Sequence, residues 1–302
     1  MKLGVDAVWR PMTVQSAVGI NRCKSAIEQS HKRIYGVAHL QDMTLVNVNA
    51  GRVLSIIACT DAPYHNLAHT ISVISVGQQI LEGKQQLEGN VSSQCWMDIT
   101  TALMYHDVGY VKGACRHDQV EAHCYVAAAD GSIVQLDPCT TDASLAPYHV
   151  SRGQIVAEEL IGPKTNIDLD VVKTAIEFTR FPIPADASYH STSSYLGLVR
   201  AADLIGQLAD PDYLDKLPHL FEELSETGQA QTLGYRHPDD MRRAYPTFYR
   251  QVVYPHIQQA LLYLSVTPQG RQTVGRLYGN LERSEHPSGF RQIFVDDYGQ
   301  LN

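Results

Sequence analysis

Between positions 67 and 80, Leu67, Ile71 and Ile74 fall on one line of a 3.6-residue helix, and His69, Val73, Val76 and Ile80 fall on the line beside it. Two adjacent apolar stripes demand burial over a wide arc, so this helix must meet neighbours on more than one side. The same period recurs along the chain. A helix capped by Ser93 or Ser92 runs through Trp96, Ile99, Leu103 and Tyr105 and ends near Gly109. Helices are also expected over 117–129, over 150–160 with Gly162-Pro163 as its stop, and over 168–181, halted by Pro182 and Pro184. Residues 191–209 begin with hydroxyl capping candidates and run to an Asp210-Pro211 stop. Residues 130–147 are turn-rich and read as a long loop, a kind of segment that is usually functional or disordered. Strand signals are short and isolated, at Thr44-Leu45-Val46 and Ile293-Phe294-Val295. The expected fold is all-α. A helical domain spans 1–210, and a helical extension over 211–302 packs on the same core through two or three further helices, one of them over 248–264.

Charge and composition narrow the function classes. With 24 basic and 32 acidic side chains in 302 residues, the net charge of −8 disfavours general nucleic-acid binding, and an anionic substrate would need local neutralisation. The longest apolar run, 53–59, is far shorter than the roughly 20 residues of a membrane helix, so no membrane partner is expected. The N-terminal MKLGVDAVWRP lacks the apolar stretch of a secretory signal. Six cysteines without a C-x-x-C spacing read as reduced thiols of a cytoplasmic protein.

The chemistry is carried by histidines and aspartates. His65 and His69 are four residues apart and can project toward one point, with Asn66 as a cap that leaves His65 just outside the helix. His106-Asp107 closes the apolar run ITTALMYHDVGY, whereas a second pair, His117-Asp118, sits among Arg116, Gln119 and Glu121 and reads as structural. Leu196, Val199, Asp203 and Gly206 share one helical line, so Asp203 interrupts a core-facing stripe. A carboxylate buried there is costly unless paired or metal-bound. Arg200 lies beside it, which leaves a structural Arg200-Asp203 pair as the competing explanation. Likewise, His69 taken alone reads first as a core histidine bonded to a backbone carbonyl. Taken together, two imidazoles and two carboxylates make a mixed N/O donor set that suits manganese, iron, cobalt, nickel or zinc better than calcium.

The order His69, His106-Asp107, Asp203 resembles the H…HD…D signature of the HD-domain metal-dependent phosphohydrolases, and Tyr64-His65-Asn66-Leu67-Ala68-His69 is similar to the Tyr-His-Asn-x-x-His motif of the cyclic-nucleotide phosphodiesterases in that superfamily. The resemblance covers about 64–210. It implies an HD-type helical bundle, a metal held by His69, His106, Asp107 and Asp203, and hydrolysis of a phosphoester of nucleotide type. It further implies that His65 protonates the leaving oxygen and that Asp107 can bridge to a second ion such as magnesium. Val108-Gly109-Tyr110-Val111 is similar to a Gly-Tyr-Pro variant with Val111 at the proline position. His149-Val150-Ser151-Arg152-Gly153 resembles that group's His-Pro-x-x-Gly ligand segment, and Thr179-Arg180 stands where its His-His pair is expected. Lys112, Arg116 and Arg180 are candidates to neutralise phosphate, and His149 is a candidate second-metal contact. A non-catalytic nucleotide-binding module and an HD-type di-iron oxygenase, with His149 and His65 as added ligands, are the alternatives. Oligomeric state is not legible.

Overall fold

Asn66 accepts a hydrogen bond from the backbone N–H of Ala68 at 3.0 Å and starts the helix that organises the chain. A computed structural model describes residues 12–162 and 165–286. In chain order its helices are α1 (Val14–Tyr35), α2 (Leu40–Ile57), α3 (Leu67–Glu88), α4 (Ser93–Tyr105), α5 (His149–Ile161), α6 (Leu169–Glu177), α7 (Tyr195–Leu208), α8 (Tyr213–Glu226), α9 (Gln229–Thr232), α10 (Pro238–Phe248), α11 (Tyr254–Val266) and α12 (Pro268–Glu285). The class is all-α. Side-chain caps set several of the starts, each worth about 1 kcal/mol: Ser92 for α4, Asp168 for α6 and Ser194 for α7.

α3 sits in the middle, packed by α1, α4, α7 and α11. His69, Val73, Val76 and Ile80 are buried as their shared stripe requires, while Leu67 and Ile71 are half-buried against the same core. Gly206 explains how closely α7 approaches. A Cβ at that position would lie 2.8 Å from the Cα of Val73, so only glycine lets the two backbones touch there. Ser72 adds a hydrogen bond from its Oγ to the carbonyl of Gly206 at 2.9 Å. Asp203 lies one turn before Gly206, and His69 one turn before Val73, so this crossing brings the two side chains together.

The structure departs from expectation in four places. Residues 117–129 are not helical: a short 3-10 turn at Val120–Ala122 leads into β1 (Cys124–Val126), which pairs antiparallel with β2 (Ile133–Gln135). The physical cause is Asp118, whose carboxylate accepts from the N–H groups of Gly113 and Val126 and pairs with Arg152, folding the chain back on itself. The 130–147 stretch therefore contains a strand, and it also holds a 3-10 turn at Asp142–Leu145. Thr44-Leu45-Val46 is helical inside α2, where burial of Val46 overrides its strand propensity. The 248–264 pattern is broken by a π segment at Tyr249–Val253, because Pro255 has no N–H to continue the helical ladder. Downstream of 210 there are more helices than expected, α8 to α12, and they share the core with the earlier ones. Ile293-Phe294-Val295 and Pro163 lie outside the described residues. No helix of the described residues is long and apolar enough to cross a membrane.

Candidate metal centre

Four ligand atoms from three segments meet at one point. His69 Nε2 on α3 lies 3.3 Å from Asp107 Oδ2 and 3.4 Å from Asp203 Oδ1 on α7. His106 Nε2 lies 3.1 Å from Asp107 Oδ2 and 3.6 Å from Asp203 Oδ1. These side chains are buried except Asp203, which is 21% exposed and faces a cavity. His106 and Asp107 do not share a helix. His106 closes α4, and Asp107 opens a 3-10 turn, Val108–Tyr110, with φ −106° and ψ 0°. The break turns both side chains inward. It is held by Gly109, where a Cβ would fall 1.9 Å from the carbonyl oxygen of His149, so the turn rests directly on the start of α5.

The cluster could serve as a coordination shell. Nδ1 of His106 donates to the carbonyl of Leu103 at 2.9 Å, which leaves Nε2 as a lone pair. His106 Nε2 and Asp107 Oδ2 are shielded from solvent and have no hydrogen-bond partner. Two buried acceptors 3.1 Å apart repel unless a cation, either a metal ion or the proton of an imidazolium, lies between them. Ligands about 2.1 Å from a common ion stand roughly 3.0 Å apart in an octahedron and 3.4 Å apart in a tetrahedron; three of the four separations, 3.1, 3.3 and 3.4 Å, fall in that range, and the fourth is 3.6 Å. His69, His106 and Asp203, and separately His65, His69 and Asp107, form groups whose ligand atoms lie within 4.8 Å of one another and could hold a metal ion. Although burial works against their charge, the surrounding imidazoles hold the carboxyls of Asp107 and Asp203 well below the usual range.

Arg200 does not pair with Asp203. Its guanidinium donates to the carbonyls of Tyr189 at 2.8 Å and Ser191 at 3.4 Å and lies over the ring of Phe178. The competing structural account of Asp203 therefore fails. Asp118, in contrast, is consumed by the buried Arg152 at 2.8 Å, as the second His-Asp pair was expected to be structural.

His65 stands at the rim of the cluster. Glu223 of α8 takes its Nδ1 at 2.5 Å and accepts from the backbone N–H of Tyr64 at 2.6 Å and of His65 at 3.0 Å. Burial works against the imidazolium, but the Glu223 carboxylate outweighs it and pushes the pKa of His65 up to about 9. The ring of Tyr110 is sandwiched between those of His65 and His149, with centroids 4.7 Å and 4.5 Å away. His149 Nδ1 is bound to the carbonyl of Ala146 at 2.6 Å, and its Nε2 lies 4.0 Å from Asp107 Oδ1, the carboxylate oxygen turned away from the four-atom cluster. Burial lowers the pKa of His149, which suits a ligand.

Of the four residues proposed as second-metal or substrate contacts, His149 and Arg180 line the cavity. Lys112 points elsewhere, donating to the carbonyl of Thr140 at 2.6 Å, and Arg116 is on the exposed surface beside Glu159. Neither lines the cavity. Sequence reasoning missed Glu223. Its signal was available, since Glu223 interrupts the apolar stripe of Leu217, Leu220 and Leu224 just as Asp203 interrupts that of α7.

No curated protein matches the chain. A family model described as Npun_R2479-like matches residues 14–287, and the chain belongs to that family.

Proposed function

We propose that this chain is an HD-type metal-dependent phosphohydrolase that cleaves a small phosphodiester with water as the nucleophile. The observation that carries the reading is the convergence of His69, His106, Asp107 and Asp203 with two of their donor atoms buried and unpartnered. The ligand order H…HD…D along the chain supports it. A divalent manganese, iron, cobalt, nickel or zinc ion held by these four residues would bring a bound water near neutral pKa and polarise a phosphoryl oxygen. Asp107 and His149 are the residues that would hold a second ion such as magnesium, which would add positive charge beside the phosphate.

The chain's own groups account for the rest of the reaction. His65, held by Glu223 through Nδ1, presents Nε2 toward Asp107 and His69 at the mouth of the cluster. As the water oxygen forms its bond to phosphorus and the ester P–O bond breaks, His65 gives its proton to the departing alkoxide. Tyr110 keeps the His65 ring from rotating by stacking on it. Arg180 lies on the cavity wall, paired with Glu177.

Hydrolysis of bis(p-nitrophenyl) phosphate in ¹⁸O-labelled water tests this reading: the label must enter the phosphate-bearing product, and activity must require metal. An oxygen-activating two-metal centre is the second reading, favoured by the grouping of His65 with His69 and Asp107. It predicts dioxygen consumption and no phosphoester turnover.

A further inference from the structure

The cavity that begins at Asp107 and Asp203 continues well past them. Its volume is about 200 Å³, more than a phosphate group fills. Beyond the cluster its walls are Leu204, Leu208, Leu220, Leu224, Met241 and Phe248, drawn from α7, α8 and α10. Phe181 and Leu233, which also line it, are 46% and 54% exposed. Such side chains reach water at a cost unless something apolar covers them.

Many of the polar groups on these walls are paired, while the Nε of Arg200 and the hydroxyl of Tyr245 are buried without a partner. Arg180 grips both oxygens of Glu177, at 2.5 and 2.9 Å. Arg200 is used by two carbonyls, the hydroxyl of Thr179 by the carbonyl of Ile176 at 2.7 Å, and that of Thr227 by the carbonyls of Glu223 and Leu224. Gln207 is in hydrogen-bond contact with Tyr213. Among the described wall residues beyond the cluster, Gln229 is the amide whose side chain has no protein hydrogen bond. An alkyl or aryl group packs on the apolar side chains of α7, α8 and α10 without requiring hydrogen-bond partners.

We infer that the substrate is a phosphodiester bearing one large apolar alkyl or aryl ester group, which fills the chamber walled by α7, α8 and α10 while its phosphate lies at the His-Asp cluster. This rests on the phosphohydrolase reading for the phosphate end. The helices downstream of 210 then serve as the selectivity element, and Leu233 and Phe181 cover the part of the ligand nearest solvent.

Binding of ethyl-, butyl-, hexyl- and octylphosphonate to the zinc-reconstituted protein, measured by calorimetry, tests the inference without turnover. Affinity is expected to rise about three- to fourfold for each added methylene. Leu233→Asp, at an exposed position that tolerates the change, weakens octylphosphonate about tenfold, the equivalent of two methylenes, and leaves ethylphosphonate unchanged. Phe181→Ser acts in the same direction. Affinity independent of chain length, or tighter binding of adenosine 5′-monophosphate than of octylphosphonate, overturns the inference. Chain-length-dependent binding in a protein that hydrolyses no diester overturns the hydrolase reading and leaves this one standing. Turnover of bis(p-nitrophenyl) phosphate without chain-length dependence does the reverse.

Discussion

Glu223→Gln removes the charge that sets the protonation of His65 and keeps the shape of the side chain. In the native site Oε1 accepts from two backbone N–H groups and Oε2 holds Nδ1 of the imidazole. Burial by itself favours neutral His65, and the carboxylate reverses this, raising the pKa from 6.5 to about 9. Without the charge, burial is opposed only by the weaker pull of Asp107 and Asp203, and the value falls back toward the ordinary histidine range. A proton donor of pKa about 9 is roughly 90% charged at pH 8, whereas one of about 6.5 is roughly 3% charged. Turnover of the variant is therefore expected to drop about 30-fold at pH 8 and by less than about twofold at pH 6. Stability follows the same linkage. Because the folded-state pKa is raised, the native pair contributes fully below pH 6.5, and the contribution is lost as pH rises through about 9. A gap of about 2.5 units corresponds to about 3 kcal/mol. The assay is kcat against pH for both proteins on bis(p-nitrophenyl) phosphate, with the His65 ring titrated by NMR. The separation between the two profiles is the readout. Superimposable alkaline limbs, or a loss of the same size at every pH, would refute the role given to Glu223 and His65.

Three further outcomes are expected. Asp118→Ala strips the buried Arg152 of its partner and should cost about 3 to 5 kcal/mol in denaturant unfolding, while metal content per folded chain stays unchanged. His65→Ala should retain metal by elemental analysis and lose about 10² to 10⁴ in turnover; parallel loss of metal would place His65 among the ligands. Gly206→Val forces α7 away from the Val73 backbone and should lower stability by about 1 to 3 kcal/mol in thermal unfolding, with weaker metal binding because Asp203 is carried away from His69.

The parts of the fold that could be read from the sequence are those decided locally. The double stripe of α3 and the caps at Asn66, Ser92 and Ser194 are written in adjacent residues. So is the interruption of the α7 stripe by Asp203, which the packing against α3 then explains. What escaped reading depends on partners far along the chain. The hairpin of 124–135 exists because Asp118 meets Arg152 34 residues later, and no local period encodes that meeting. Glu223 reaches His65 across 158 residues, so its role emerged only once α8 was placed. Lys112 and Arg116 were attractive by proximity in sequence to Asp107, and the 3-10 turn at Val108–Tyr110 redirects the chain before they reach the cavity.

The central claim is that His69, His106, Asp107 and Asp203 close around a metal ion. Elemental analysis of the purified protein beside its Asp107→Ala and Asp203→Ala variants, each checked for folding by circular dichroism, tests it most directly. About one tightly held transition-metal ion per chain is expected in the parent protein, with none in Asp107→Ala and a strongly reduced amount in Asp203→Ala. Equal metal content in all three folded proteins, or a parent protein that takes up no divalent transition metal when reconstituted, would contradict the account.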